Sequence, residues 1–69
     1  GNGQIYSAKE LTFLNNSLGS AQECRYWLEL ALINKYITQE QYQKTDNLTQ
    51  EIIRMLIAMM KKIKREEVA

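Results

Sequence analysis

No proline occurs anywhere in the chain, and after Gly3 the only glycine is Gly19. Turns that reverse a strand every few residues draw on glycine and proline, so a many-stranded β domain has no punctuation here. Helices are favoured before any periodicity is counted. Its 69 residues admit one domain, and a domain of this size buries only about 60% of the surface its unfolded chain exposes, so it leans on partners for stability. Nine Lys+Arg against eight Asp+Glu leave a net charge of +1. That balance excludes the overall basicity that would alone announce a nucleic-acid protein and leaves a local basic patch open. One Cys and no His exclude an intrachain disulfide and the usual zinc ligand sets, so no metal or cofactor is expected. The richest apolar run, Ile52–Met60, carries Arg54 and falls short of the ~20 residues that span a bilayer. The opening Gly1-Asn2-Gly3-Gln4 lacks the layout of a signal peptide, so a soluble cytoplasmic chain is expected.

Apolar spacing places the helices. Leu11, Leu14, Leu18, Ala21, Leu28 and Leu32 recur at three and four residues, with Arg25 in the slot between Ala21 and Leu28. Ser7 and Glu10 fit a capping box, which predicts a first helix over about 8–33 behind a Gly-rich leader at 1–6. Gly19-Ser20 in its middle costs about 1 kcal/mol relative to Ala and marks a pliable point or a close helix approach. The break is predicted within 34–38, where Asn34 tolerates the left-handed conformation that ends a helix. Thr38 and Gln41 form a second capping box, with Ile37 and Tyr42 at the positions of a hydrophobic staple. The second helix is predicted over about 39–66, with Leu48, Ile52, Met55, Leu56, Met59 and Ile63 as its apolar stripe. A connection this short makes the helices antiparallel neighbours.

Both stripes are too wide for one neighbour. At 100° per residue, the apolar residues between Ile52 and Ile63 sweep roughly 200°, where a single partner helix needs about 100°. The first helix adds Phe13, Cys24, Trp27 and Ala31 on one flank and Tyr26, Leu30 and Ile33 further round. A lone hairpin would leave a large apolar patch in water. The expected fold is therefore all-α: an antiparallel two-helix hairpin that completes a four-helix-type bundle with other chains. Trp27, Leu30, Ile53, Ile57 and Met60 are the oligomer-interface candidates. A homodimer making four helices is the simplest closed solution, and a ring is the alternative.

An ordered set of residues carries a resemblance. It comprises Gly1-Asn2-Gly3, Ser7-Ala8-Lys9-Glu10-Leu11, Phe13-Leu14, Leu18-Gly19-Ser20, Glu23-Cys24-Arg25-Tyr26, Leu28, Ala31, Tyr36-Ile37, Glu51-Ile52 and Met55-Leu56. The set resembles the C-terminal half of a bacterial four-helix-bundle family whose members are often encoded within intervening sequences of 23S ribosomal RNA genes. That family's pattern has a glycine-rich turn, a helix with Lys-Glu-Phe and Gly-Ser elements, a Gly-Tyr-Ile turn and a last helix with a Met-Leu pair. Two positions depart from it: Lys35 stands where the turn has Gly, and Leu11 where Phe is frequent. Asn34 is then the expected left-handed residue. The family's first two helices have no counterpart in this pattern, in agreement with the unfilled apolar arcs. The resemblance implies a helical scaffold that assembles into rings, commonly pentameric, with a role on RNA or a ribonucleoprotein.

Chemically the chain is sparse. Cys24 has no His to activate it and is expected to be a buried structural thiol. Glu10, Glu23, Glu29 and Glu40 suit capping, ion pairing and solvation, with Glu23 pointing away from the main stripe. Met55, Met59 and Met60 suit packing. No enzymatic activity, small-molecule substrate or membrane partner is expected. Arg25, in a core-facing slot, needs a carboxylate, and Glu29 at i+4 is the nearest candidate, with a neighbouring copy another. Arg54, Lys61 and Arg65 fall within about 40° of one another on the second helix. With Lys62 and Lys64 near its end, they are the nucleic-acid-binding candidates, although cations there also complement the helix dipole. Three functions stay open: an oligomeric scaffold whose repeated basic strips contact RNA, a protein-interaction module whose apolar face docks onto another protein without nucleic acid, and, least favoured, an interfacial membrane helix suggested by Lys-rich positions beside Ile and Met in the second segment.

Overall fold

The computed structural model describes the backbone of residues 2–68 and the side chains of residues 8–66. Two helices make up the molecule, α1 at Asn2–Ile33 and α2 at Gln39–Val68, and no strand occurs among the described residues. They lie side by side and antiparallel in a rod measuring 51 × 14 × 12 Å.

The first helix starts earlier than its capping box predicts. Residues 2–6, assigned to a leader, are already helical, so Ser7 sits inside α1 and is not its N-cap. The segment contains no proline to stop a helix extending backwards. Gly1 and the Ser7 hydroxyl lie outside the described residues. Gly19 does not interrupt the helix, and a Cβ built on it meets nothing within 4 Å. Among the described residues, therefore, no helix approaches Gly19 closely.

The break falls where the sequence places it, but its left-handed residue is Lys35, with φ +64°, in place of Asn34. The Lys35 N–H donates to the Leu32 carbonyl at 3.0 Å and the Tyr36 N–H to the Ala31 carbonyl at 2.9 Å. These are the paired bonds of a Schellman cap, with Lys35 as the first residue past the cap. Asn34 is the cap itself, and both its N–H and its Nδ2 donate to the Leu30 carbonyl, at 2.9 and 2.8 Å. The restart follows the predicted capping box. The Thr38 N–H donates to Gln41 Oε1 at 2.9 Å, and the Gln41 N–H donates to Thr38 Oγ1 at 3.1 Å.

The helices meet along a seam of heptad spacing. On α1 it consists of the predicted Leu11, Leu14, Leu18, Ala21, Leu28 and Leu32, of which Leu14 is buried and the others half-buried. On α2 the inward row is Tyr42, Asp46, Thr49, Ile53, Leu56, Met60 and Ile63, all buried or half-buried. Alternating steps of four and three keep this row facing its partner along the helix. The predicted α2 stripe is thereby corrected: Leu56 and Ile63 belong to the seam, whereas Leu48, Ile52, Met55 and Met59 are exposed. Asp46 and Thr49 occupy the true inner row, so hydropathy alone selects the more apolar row beside it. Two proposed interface residues, Ile53 and Met60, fall on this intrachain seam and Leu30 is half-buried, while Trp27 and Ile57 are exposed.

Candidate functional site

At one level the seam is polar. Arg25 Nε donates to Asp46 Oδ1 at 2.8 Å, Arg25 Nη2 reaches Oδ2 at 3.4 Å, and Gln50 Nε2 donates to the same Oδ2 at 2.7 Å. Asp46 is buried, while the Arg25 side chain is 45% exposed. The Arg25 guanidinium first, and the Gln50 amide second, hold the Asp46 carboxyl below the usual carboxylate range against the opposing effect of burial. Asp46 in turn raises the Arg25 pKa above its ordinary value. The carboxylate partner is thus on α2, and Glu29, the expected partner, is exposed on the same helix as Arg25. Asp46 lies on the inward row facing Arg25, so the guanidinium can pair without leaving the seam. Thr49, the other buried polar residue of the row, donates its hydroxyl to the Thr45 carbonyl at 2.9 Å.

On the two sides of the seam the hairpin presents unlike faces. Phe13 of α1 and Met59 of α2 border one groove together with Glu10, Leu14 and Ile63, which places them on the same face. By helical spacing this face continues through Ser17, Ser20, Cys24 and Trp27 on α1 and through Met55, Ile52 and Leu48 on α2. Its six large apolar side chains are about half to two-thirds exposed, from Met59 at 49% to Phe13 at 70%. Gathered on one side they form a patch, unlike the single exposed apolar residues common on monomers. Trp27 is oriented within it: its Nε1 donates to Glu23 Oε1 at 3.3 Å, and its ring meets Tyr26 edge to face at 5.5 Å between centroids. Cys24 is exposed on this face and not buried as expected, because α2 does not reach that flank.

The other side is mostly polar, with Ile33 and Ile57 as its exposed apolar residues. Asn15, Gln22 and Glu29 of α1 lie there by the same count, as do Gln50, Arg54 and Lys61 of α2. All five nucleic-acid-binding candidates are exposed. Lys61, Lys64 and Arg65 border one shallow depression with Ala58, Arg54 borders another with Lys44, Asn47, Leu48 and Glu51, and Lys62 borders neither. Helical spacing keeps Arg54 in line with Lys61 and Arg65, and Lys61, Lys64 and Arg65 gather near the end of α2. Asp46 and Gln50 went unrecognised in the sequence, although the step of four and three from Tyr42 through Asp46 to Thr49 was a usable signal.

Among the described residues no helix is long and apolar enough to cross a membrane. The family model of the 23S rRNA-intervening sequence protein matches residues 1–58. That span takes in α1, the turn and α2 as far as Ala58, and leaves Lys61, Lys64 and Arg65 beyond it. No curated protein and no solved structure matches the chain.

Proposed function

Because the chain belongs to the 23S rRNA-intervening sequence protein family, we propose that it is a helical scaffold, working in the cytoplasm as an assembly of copies, that contacts RNA or a ribonucleoprotein through the cations of α2. The observation that carries this reading is the separation of two surfaces on one rigid rod. Six large apolar side chains share one face, while Lys61, Lys64 and Arg65 cluster away from it. Association through the first surface repeats the second, and repeated cations release more counterions from a phosphate backbone than one copy can. Such contacts would position RNA without reading its sequence. No reaction or cofactor belongs to this role.

The test is retention of RNA by the chain over a salt series starting near ~50 mM. The triple variant Arg54→Gln, Lys61→Gln, Arg65→Gln should flatten the slope of log affinity against log salt by about two units, with helicity unchanged. A triple variant that binds as tightly as the parent would remove the cations from the role. The exposed apolar face supports a second reading, a module that docks onto helices of another protein, and a parent chain with no RNA affinity at ~50 mM salt would select it.

A further inference from the structure

We propose that the turn joining the two helices is a stacking site for an unpaired base of single-stranded RNA, with the Tyr36 ring as its platform and the Lys35 ammonium on a neighbouring phosphate. This rests on the RNA half of the reading above and adds a second contact, at the opposite end of the rod from Lys61, Lys64 and Arg65.

The first support is exposure. Tyr36 is 81% exposed, above Phe13 at 70% and Tyr26 and Trp27 at 57%. Those three stand on the sides of α1, and Tyr26 and Trp27 meet each other edge to face. Tyr36 lies beyond both helices, and its ring makes no aromatic contact among the described residues. The backbone beneath it is nonetheless fixed. The N–H groups of Asn34, Lys35 and Tyr36 donate to the Leu30, Leu32 and Ala31 carbonyls at 2.9, 3.0 and 2.9 Å, and the Thr38–Gln41 box holds the other side of the turn. A ring presented from a fixed turn binds without the cost of ordering a loop.

Strain is the second support. Lys35 holds φ +64°, a conformation that glycine adopts at no steric cost and a side-chain-bearing residue does not. Held strain of this kind calls for a function of the side chain. A cation past the end of α1 does complement the helix dipole, but one inside the last turn would do so on ordinary helical backbone, and that turn has no basic residue.

The chemistry of the tip selects its ligand. One open ring, one ammonium beside it in the chain and the 72% exposed Ile33 offer far less than the ~800 Å² that a protein partner covers. They match one nucleotide, a base face with its phosphate. Glu40 in the first turn of α2 tempers the positive charge, so stacking supplies more of the affinity here than charge does. Bases inside a duplex are already stacked on one another, which restricts the site to unpaired ones. From Gln39 to Lys61, α2 rises about 33 Å at 1.5 Å per residue. By helical spacing Gln43, Asn47, Arg54 and Lys61 lie in one line between the two contacts, all of them exposed, so a strand can follow a polar surface from the tip to the cations.

The experiment measures affinity of the 69-residue chain for a labelled single-stranded oligouridylate of about 16 nucleotides, and for the same strand annealed to its complement. Tyr36→Leu should weaken single-strand binding about 5-fold or more, the smaller end of what one base–aromatic stack supplies. Tyr36→Phe should bind as the parent does, and duplex binding should be the same in all three. Lys35→Gly should flatten the single-strand salt slope by about 0.7, the share of one phosphate, while its thermal midpoint rises, a combination that a purely structural lysine would not give. A Tyr36→Leu chain that binds the single strand as tightly as the parent, or loses duplex affinity equally, overturns the stacking site. So does a Tyr36→Phe chain as weak as Tyr36→Leu. If the Arg54, Lys61 and Arg65 triple variant still loses affinity in those cases, the RNA reading stands without the tip. A parent chain that binds neither probe at ~50 mM salt overturns both.

Discussion

Arg25 Nε stands 2.8 Å from Asp46 Oδ1 across the seam, pairing residues twenty-one positions apart in the chain. The rest of the seam is mostly aliphatic and would tolerate a shift of one heptad. Such a shift would strand the Asp46 carboxylate against apolar side chains. A single polar position in an otherwise apolar seam sets register at some cost in stability, and this pair takes that part in the hairpin.

Asp46 makes stability depend on acid. Its carboxyl is depressed in the folded chain, so its contribution is present above the unfolded carboxylate value of about 3.9 and is lost as the pH falls through the lower folded value. Thermal melts should show Tm dropping by a few degrees between about pH 5 and pH 2 from this group, a modest effect because Arg25 is partly solvated. Asp46→Asn should lower Tm at pH 7 and flatten that part of the profile. An unchanged acid limb in the variant would assign the acid sensitivity to other carboxylates.

Lys35 occupies a left-handed conformation at φ +64°, which costs a side-chain-bearing residue about 1 kcal/mol. Lys35→Gly should therefore stabilise the hairpin by about 1 kcal/mol, raising Tm by roughly 4–8 °C for a domain this small. Denaturant midpoints measured beside the parent would check it, and a lower midpoint would show that the turn gains more from the lysine than it loses in strain.

Gly19 sits mid-helix with no neighbour to meet an added methyl. Gly19→Ala should stabilise by about 0.5–1 kcal/mol through helix propensity alone. RNA retention and solution mass should be unchanged, since the position lies on neither surface; a change in mass would place a helix contact there.

Two isoleucines four residues apart should respond differently to charge. Ile53 is half-buried in the seam, whereas Ile57 is exposed. Ile53→Glu should cost on the order of 2–3 kcal/mol by placing a carboxylate against α1. Ile57→Glu should stay within about 0.5 kcal/mol. Equal losses of helicity by circular dichroism would show that both positions are covered by a further chain.

The two-helix architecture, the break near residue 34, the Thr38–Gln41 box and the α1 row were all legible because each is a property of residues within a turn or two of one another. Helix propensity, capping and amphipathic spacing act locally, so the amino-acid order determines them without knowledge of what lies opposite. The start at Asn2 was misplaced because a plausible internal cap competes with a segment in which nothing stops a helix. Of the candidate surfaces, exposure of the α2 cations was readable from spacing.

Only the tertiary structure decided which α2 row turns inward, which carboxylate meets Arg25 and which flank of α1 stays open. Each depends on apposition of the two helices. Asp46 and Thr49 belong inside because Arg25 and the Thr45 carbonyl are there to receive them, whereas the more apolar Leu48, Ile52, Met55 and Met59 are left outside. Hydropathy measures what a side chain gains by leaving water; it carries no information about what that side chain will find on the other helix.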